Sequence, residues 1–110
     1  MRNKSFWLSY DLGLKGDYHN LYIWLDNLGA LECGDSVAYF KFKSQDDFLK
    51  EIENSLSETV DIRKSDRLYL VYLDHNDSNK MKGKFLFGHR KRAPWEGFSN
   101  KDGNTQVDSE

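Results

Sequence analysis

Tyr10-Asp11 and Gly34-Asp35-Ser36 are the short polar groups of this chain that stand where chemistry can be done. An apolar run, FWLSY, delivers Asp11 to the exposed end of a strand before Gly13 breaks it. Ser36 follows Gly34-Asp35 in a tight turn between two further strands. A carboxylate at a strand tip can hold Mg²⁺ or Mn²⁺, directly or through water, and phosphate oxygens can complete the shell of such a hard ion. Asp11 and Ser36 are therefore the candidate catalytic residues of a metal-assisted phosphodiester site, with Asp11 as the metal ligand. The same residue types suit an ordinary solvated strand end and turn. Asp35 and Asp17 could add carboxylates, but turn and helix N-cap roles account for both.

A second constellation is basic. Lys80 to Trp95 holds six Lys and Arg together with His89 and no acid, whereas Ser44 to Asn79 holds nine acids against four bases. Lys82, Lys84, Arg90, Lys91 and Arg92 are the candidate nucleic-acid-binding residues. They are interleaved with Phe85, Phe87 and Trp95, and rings can stack on unpaired bases while cations neutralise phosphates. The alternation of Lys82 and Lys84 with Phe85 and Phe87 also fits a plain edge strand, polar outside and apolar inside, with lysines that discourage aggregation. Phe85, Phe87 and Trp95 are the candidate homodimer interface, because aromatic residues reach 15% of the chain, more than a small core needs.

Other chemistries lack their residues. Cys33 is the only cysteine, so neither a disulfide framework nor a thiolate metal cluster is available. His19, His75 and His89 have no paired spacing that would suit zinc. His19, close to the Asp11 end of the sheet, could shuttle a proton, or simply sit on the surface. There is no Gly-rich phosphate loop and no Ser–His–acid arrangement. The apolar run Phe6 to Leu8 is too short for a secretory core, and nothing approaches the ~20 apolar residues of a membrane span. The expectation is a cytoplasmic protein without a membrane partner.

The elements that must position these residues follow from periodicity. Ser5 to Leu12 reads as a central strand, apolar on both faces, with Phe6, Leu8 and Tyr10 on one side and Trp7 and Leu12 on the other. Asp17 caps a helix to about Leu28, with Tyr18, Leu21, Tyr22, Leu25 and Leu28 as its stripe and Gly29 as its stop. Leu31–Cys33 and Ser36–Lys43 form a hairpin about Gly34-Asp35. Ser44 opens a second helix through a capping box with Asp47, and Phe48, Leu49, Ile52 and Leu56 face the core. Arg67–Asp74 is a strand, and Lys84–Gly88 a last short one. The order β-α-β-β-α-β with an added strand predicts an α+β ferredoxin-like sandwich over residues 1–98, followed by a disordered polar tail over 99–110.

Three stretches resemble the small CRISPR-associated endonuclease family, the smaller partner in spacer integration, and the related VapD-type ribonucleases. They are YDL at Tyr10–Leu12, LGALECGDSVAYF at Leu28–Phe40, and DRLYLVYLD followed by KGKFLFG. The resemblance implies a metal-dependent nuclease of RNA or DNA, or a non-catalytic scaffold that works beside an integrase in antiviral defence, or a toxin ribonuclease. It also implies a homodimer whose final strand adds to the partner's sheet edge, with two Asp11 residues facing each other across a cleft. Asp11 takes the position of the family's metal-binding Asp, and Ser36 that of its Ser.

Overall fold

The structure is a computed structural model and describes residues 2–99. The polar tail expected over 99–110 lies, apart from Ser99, outside the described residues. The chain runs β1 (Arg2–Asp11), α1 (Tyr18–Asn27), β2 (Leu31–Glu32), β3 (Val37–Ser44), α2 (Phe48–Thr59), β4 (Arg67–Asp74) and β5 (Lys80–Phe87). The strands form one sheet in the order β2-β3-β1-β4-β5, and every pairing is antiparallel. Each helix therefore links two parallel strands that have a third between them. β1 is central, and of the side chains on its outward face only Trp7 is apolar.

Side chains alternate across the sheet with period two. Phe6 and Leu8 of β1, Ala38 and Phe40 of β3, and Leu68 and Leu70 of β4 point to the buried face. There they meet Leu21, Trp24 and Leu25 of α1 and Phe48, Ile52 and Leu56 of α2. The Phe6 ring lies 5.9 Å from Phe40, 5.8 Å from Phe48 and 6.3 Å from Tyr72, so it joins three strands to a helix. Both helices cover this one face. The other face of the sheet carries Trp7, Tyr39, Tyr69 and Phe85, and among the described residues no helix or strand covers it.

Local details differ from expectation for physical reasons. Trp24 rather than Tyr22 fills the α1 stripe: Trp24 is 4% exposed and Tyr22 53%. The larger ring buries more area, and its Nε1–H donates to Ser55 Oγ at 2.8 Å, which removes the polar cost of burial. Leu12, just beyond the strand, joins Phe6 and Leu8 in the core rather than the Trp7 face. The hairpin loop is longer than a two-residue turn. Cys33 N–H bonds Val37 O at 3.0 Å, and Ser36 takes a φ of 66°. The cap of α2 is Asp47 and not Ser44, which ends β3. Asp47 accepts from Lys50 N–H, while the Glu51 carboxylate gathers the N–H groups of Gln45, Asp46 and Asp47. β5 begins at Lys80, earlier than its apolar residues suggest, because Lys80, Met81 and Lys82 pair with Asp74, Leu73 and Tyr72 of β4.

Candidate functional site

The uncovered face can be described in rows across the strands. Tyr39, Trp7, Val71 and Gly83 form one row, and Val37, Ser9, Tyr69 and Phe85 the next. Asp11 and Arg67 stand opposite each other in the following row. Two ring pairs result. Trp7 and Tyr39 are 5.0 Å apart, centroid to centroid, and Tyr69 and Phe85 are 4.6 Å apart edge to face. Gly83 leaves room for the Tyr69 ring, whose hydroxyl lies where a β-carbon of residue 83 would be.

Arg67 holds Asp11. Its terminal nitrogen lies 2.7 Å and its Nε 3.3 Å from Asp11 Oδ2. Asp66, 1% exposed, fixes this corner from beneath: one carboxylate oxygen accepts from Gly13 N–H at 2.7 Å and the other from Arg63 N–H at 2.8 Å. The loop leaving β1 is thus tied to the turn entering β4, and Asp11 must face Arg67. Satisfying both oxygens from backbone donors is what allows this carboxylate to be buried.

After β5 the chain turns back over the open face. Leu68 lies opposite Phe87 while Tyr69 lies opposite Phe85, so β5 has one extra residue, Leu86, at a bulge. Gly88 follows with φ 83°, its Cα close over the Asp66 carbonyl, where a side chain would collide. Arg90 then lies over Tyr69 and Phe85, its guanidinium carbon 5.6 and 5.4 Å from the two ring centres, within cation–π range. Ser9, Asp11, Arg67, Tyr69, Phe85 and Arg90 line one open cleft of about 180 Å³.

The structure brings some expected residues together and separates others. Asp11, Phe85 and Arg90 share the cleft. Ser36 reaches the same sheet end through its carbonyl, which accepts from Tyr10 N–H at 3.0 Å. Beside it, burial pushes the Tyr10 phenol upward from its ordinary pKa, with Tyr22 and Asp35 adding to the effect. Lys82 and Lys84 lie on the opposite, helix-bearing side of the sheet, across from Tyr72 and Leu70. The polar-outside pattern of β5 is therefore reversed: Phe85 faces the open side and the lysines the helix side. Lys82 is held by Asp74 at 2.8 Å and Asp77 at 2.9 Å, which raise its ammonium above its ordinary pKa. Arg92 meets Glu96 at 3.4 Å, and Lys91 is exposed. Phe87 lines a separate open cavity with Val60, Ile62 and His89, and Trp95 is 72% exposed on a turn.

Ser9, Arg67 and Tyr69 were missed by sequence reasoning. Their signal was parity: polar or amphipathic side chains at outward positions of strands otherwise read only for apolar character. A divalent ion does not fit the cleft of one chain. Among the described residues Asp11 is its only carboxylate, and that group already carries a guanidinium that would repel a dication. Among the described residues no three His, Cys, Asp or Glu side chains come together for a metal. Asp17 is occupied as a cap, accepting from Asn20 and from Asp61 N–H. Among the described residues no helix is long and apolar enough to cross a membrane. No family model, curated protein or solved structure matches the chain.

Proposed function

We propose that this is a cytoplasmic, homodimeric nucleic-acid-binding protein with a ferredoxin-like sheet, which grips phosphates at the Arg67–Arg90 cleft. The strand order, with each βαβ unit split by a strand of the other, supports that topology. The observation that carries the binding reading is Arg90 seated on the Tyr69–Phe85 rings beside Arg67. The Arg90 guanidinium offers planar donors to phosphate oxygens, the rings orient it at little entropic cost, and Arg67 adds the donors that Asp11 does not take. Among the roles that the resemblance implies, a scaffold beside an integrase suits this cleft better than a toxin ribonuclease, since Asp11 is neutralised by Arg67. The homodimer is proposed to form through the arm after β5, whose Trp95 and Phe98 are 72% and 84% exposed.

The test is binding of labelled RNA and DNA as a function of salt. Replacing Arg90, Lys91 and Arg92 together with Ala should weaken binding of all sequences alike. It should also lower the salt slope by roughly one unit per lost contact, because each contact releases condensed counterions. An unchanged slope rejects the reading.

Phosphodiester cleavage is the second reading, favoured by the Ser36 carbonyl accepting from Tyr10 N–H, one residue before Asp11, and by the exposure of the Asp11 side chain. It requires a Mg²⁺ or Mn²⁺ site that one chain does not complete, and so depends on Asp11 of a second copy. Cleavage of RNA or DNA that needs Mg²⁺ or Mn²⁺ and is lost in Asp11→Asn would establish it. No cleavage with either ion, together with unchanged affinity in Asp11→Asn, removes it.

A further inference from the structure

From the Trp7–Tyr39 pair we infer that the open sheet face receives a single strand, with unpaired bases stacked on these two rings and phosphates held at the cationic ends of the face. This rests on the binding reading above and adds the strandedness of the ligand and a second contact zone outside the cleft.

Trp7 and Tyr39 stand side by side on the central strand β1 and its neighbour β3. Trp7 is 41% exposed although it is the bulkiest side chain of β1, and it has no role in the core. The Tyr39 hydroxyl is fixed by Ser5 Oγ at 2.7 Å, which holds the ring in place. The pair is offset by one row and about 10 Å, two strand spacings, from Tyr69 and Phe85. Rings therefore occupy the middle of the face in two steps.

The charges lie at its ends. Lys41 and Lys43 extend outward from β3 beyond Tyr39, and Arg67 and Arg90 stand at the other end beyond Tyr69. Among the described outward side chains of the strands, the only acid is Asp11, already bound to Arg67. Two copies packed face to face would bring these cations against each other across a low-dielectric contact, at a Coulombic cost. A polyanion neutralises them instead. Stacked bases within a duplex cannot offer their faces to flat rings on a sheet, whereas a single strand can.

The experiment measures affinity for a short mixed-sequence single-stranded RNA, the matching single-stranded DNA, and the duplex of each, by fluorescence anisotropy on the full chain. Circular dichroism checks that each variant is folded. Single strands should bind at least about tenfold more tightly than duplexes. Trp7→Leu and Tyr39→Leu should each reduce single-strand affinity about tenfold while leaving the salt slope unchanged, as loss of stacking requires. Trp7→Phe, which keeps a ring, should recover most of the loss. Equal affinity for duplex overturns the inference. So does normal binding by Trp7→Leu when Arg90→Ala binds weakly, an outcome that leaves the phosphate grip standing. A Trp7→Leu chain that changes from dimer to monomer without losing affinity also overturns it, since the face would then belong to a second copy. Unchanged binding in both Trp7→Leu and Arg90→Ala rejects the inference and the binding reading together.

Discussion

Asp66 controls more than its own neighbourhood. Its two oxygens are the partners of Gly13 and Arg63 N–H, and it lies one residue before Arg67. Asp66→Ala would leave two backbone donors without partners under the sheet end, which should cost about 3 kcal/mol of stability. Urea unfolding checks this, and Asp66→Asn, which retains one acceptor, should fall between the variant and the parent. Little of this was legible in the sequence, where Asp66 reads as one more surface acid in an acidic stretch. A burial of this kind depends on two loops distant in sequence that arrive together, and no local pattern encodes it. Asp11 and Arg90 could be singled out because strand ends and basic runs are local signals. Arg67 could not, because its importance comes from standing opposite Asp11 across β1 and β4.

The helices were easier to find, since caps and apolar spacing act over a few residues. Asp17 begins α1 as its residue type suggests, and Phe48, Ile52 and Leu56 face the core. The stripe of α1 was displaced from Tyr22 to Trp24 because two aromatic residues lay at competing helical positions. The indole is the one buried: its ring is larger, and its N–H finds the Ser55 hydroxyl on α2, a partner no local pattern reveals. The caps also predict a response to acid. Hydrogen bonds from Asp61 and Asn20 lower the Asp17 pKa, and those from the backbone before α2 lower that of Glu51. Lys82 lowers that of Asp74. Each folded pKa is below its unfolded value near 4, so the stabilisation is full above that pH and is lost as pH falls through the folded values. The urea midpoint should be flat from about pH 7 to 5 and decline below about pH 4. Asp17→Asn keeps a capping side chain but removes the titration, and its decline should be shallower.

Charge and apolar surface are distributed unevenly over the whole molecule. The acids of the central stretch lie on α2, in the loops and, for Asp74, at the end of β4 on the helix side, while the open face of the sheet is cationic and aromatic. A net charge of −2 conceals this, and composition alone cannot reveal it because strand parity decides which face each charge joins. The α+β class, two helices with an antiparallel sheet, was anticipated from the succession of elements. The division of the basic segment between two faces was not, because it depends on the register of β5. The proposed dimer belongs to this scale. Sedimentation at micromolar concentration should give twice the monomer mass, and Trp95→Ser with Phe98→Ser should give monomers of unchanged secondary structure. A parent chain that sediments as a monomer would reject the dimer and any site built from two Asp11 residues.

The bulge at Leu86 makes the number of residues a working quantity in its own right. From Phe85 the chain needs the extra residue and the bend at Gly88 to reverse and set Arg90 on the rings it has just passed. Substitutions at 86 or 87 can preserve that path if they remain apolar, but a one-residue deletion cannot. It would restore regular pairing with β4 and send the arm straight off the end of the sheet. Relatives that keep Arg90 in this use should therefore vary in residue type across 85–90 and hold its length constant. Deleting Leu86 should leave a folded protein that has lost the Arg90 contribution to binding while every charged residue is still present.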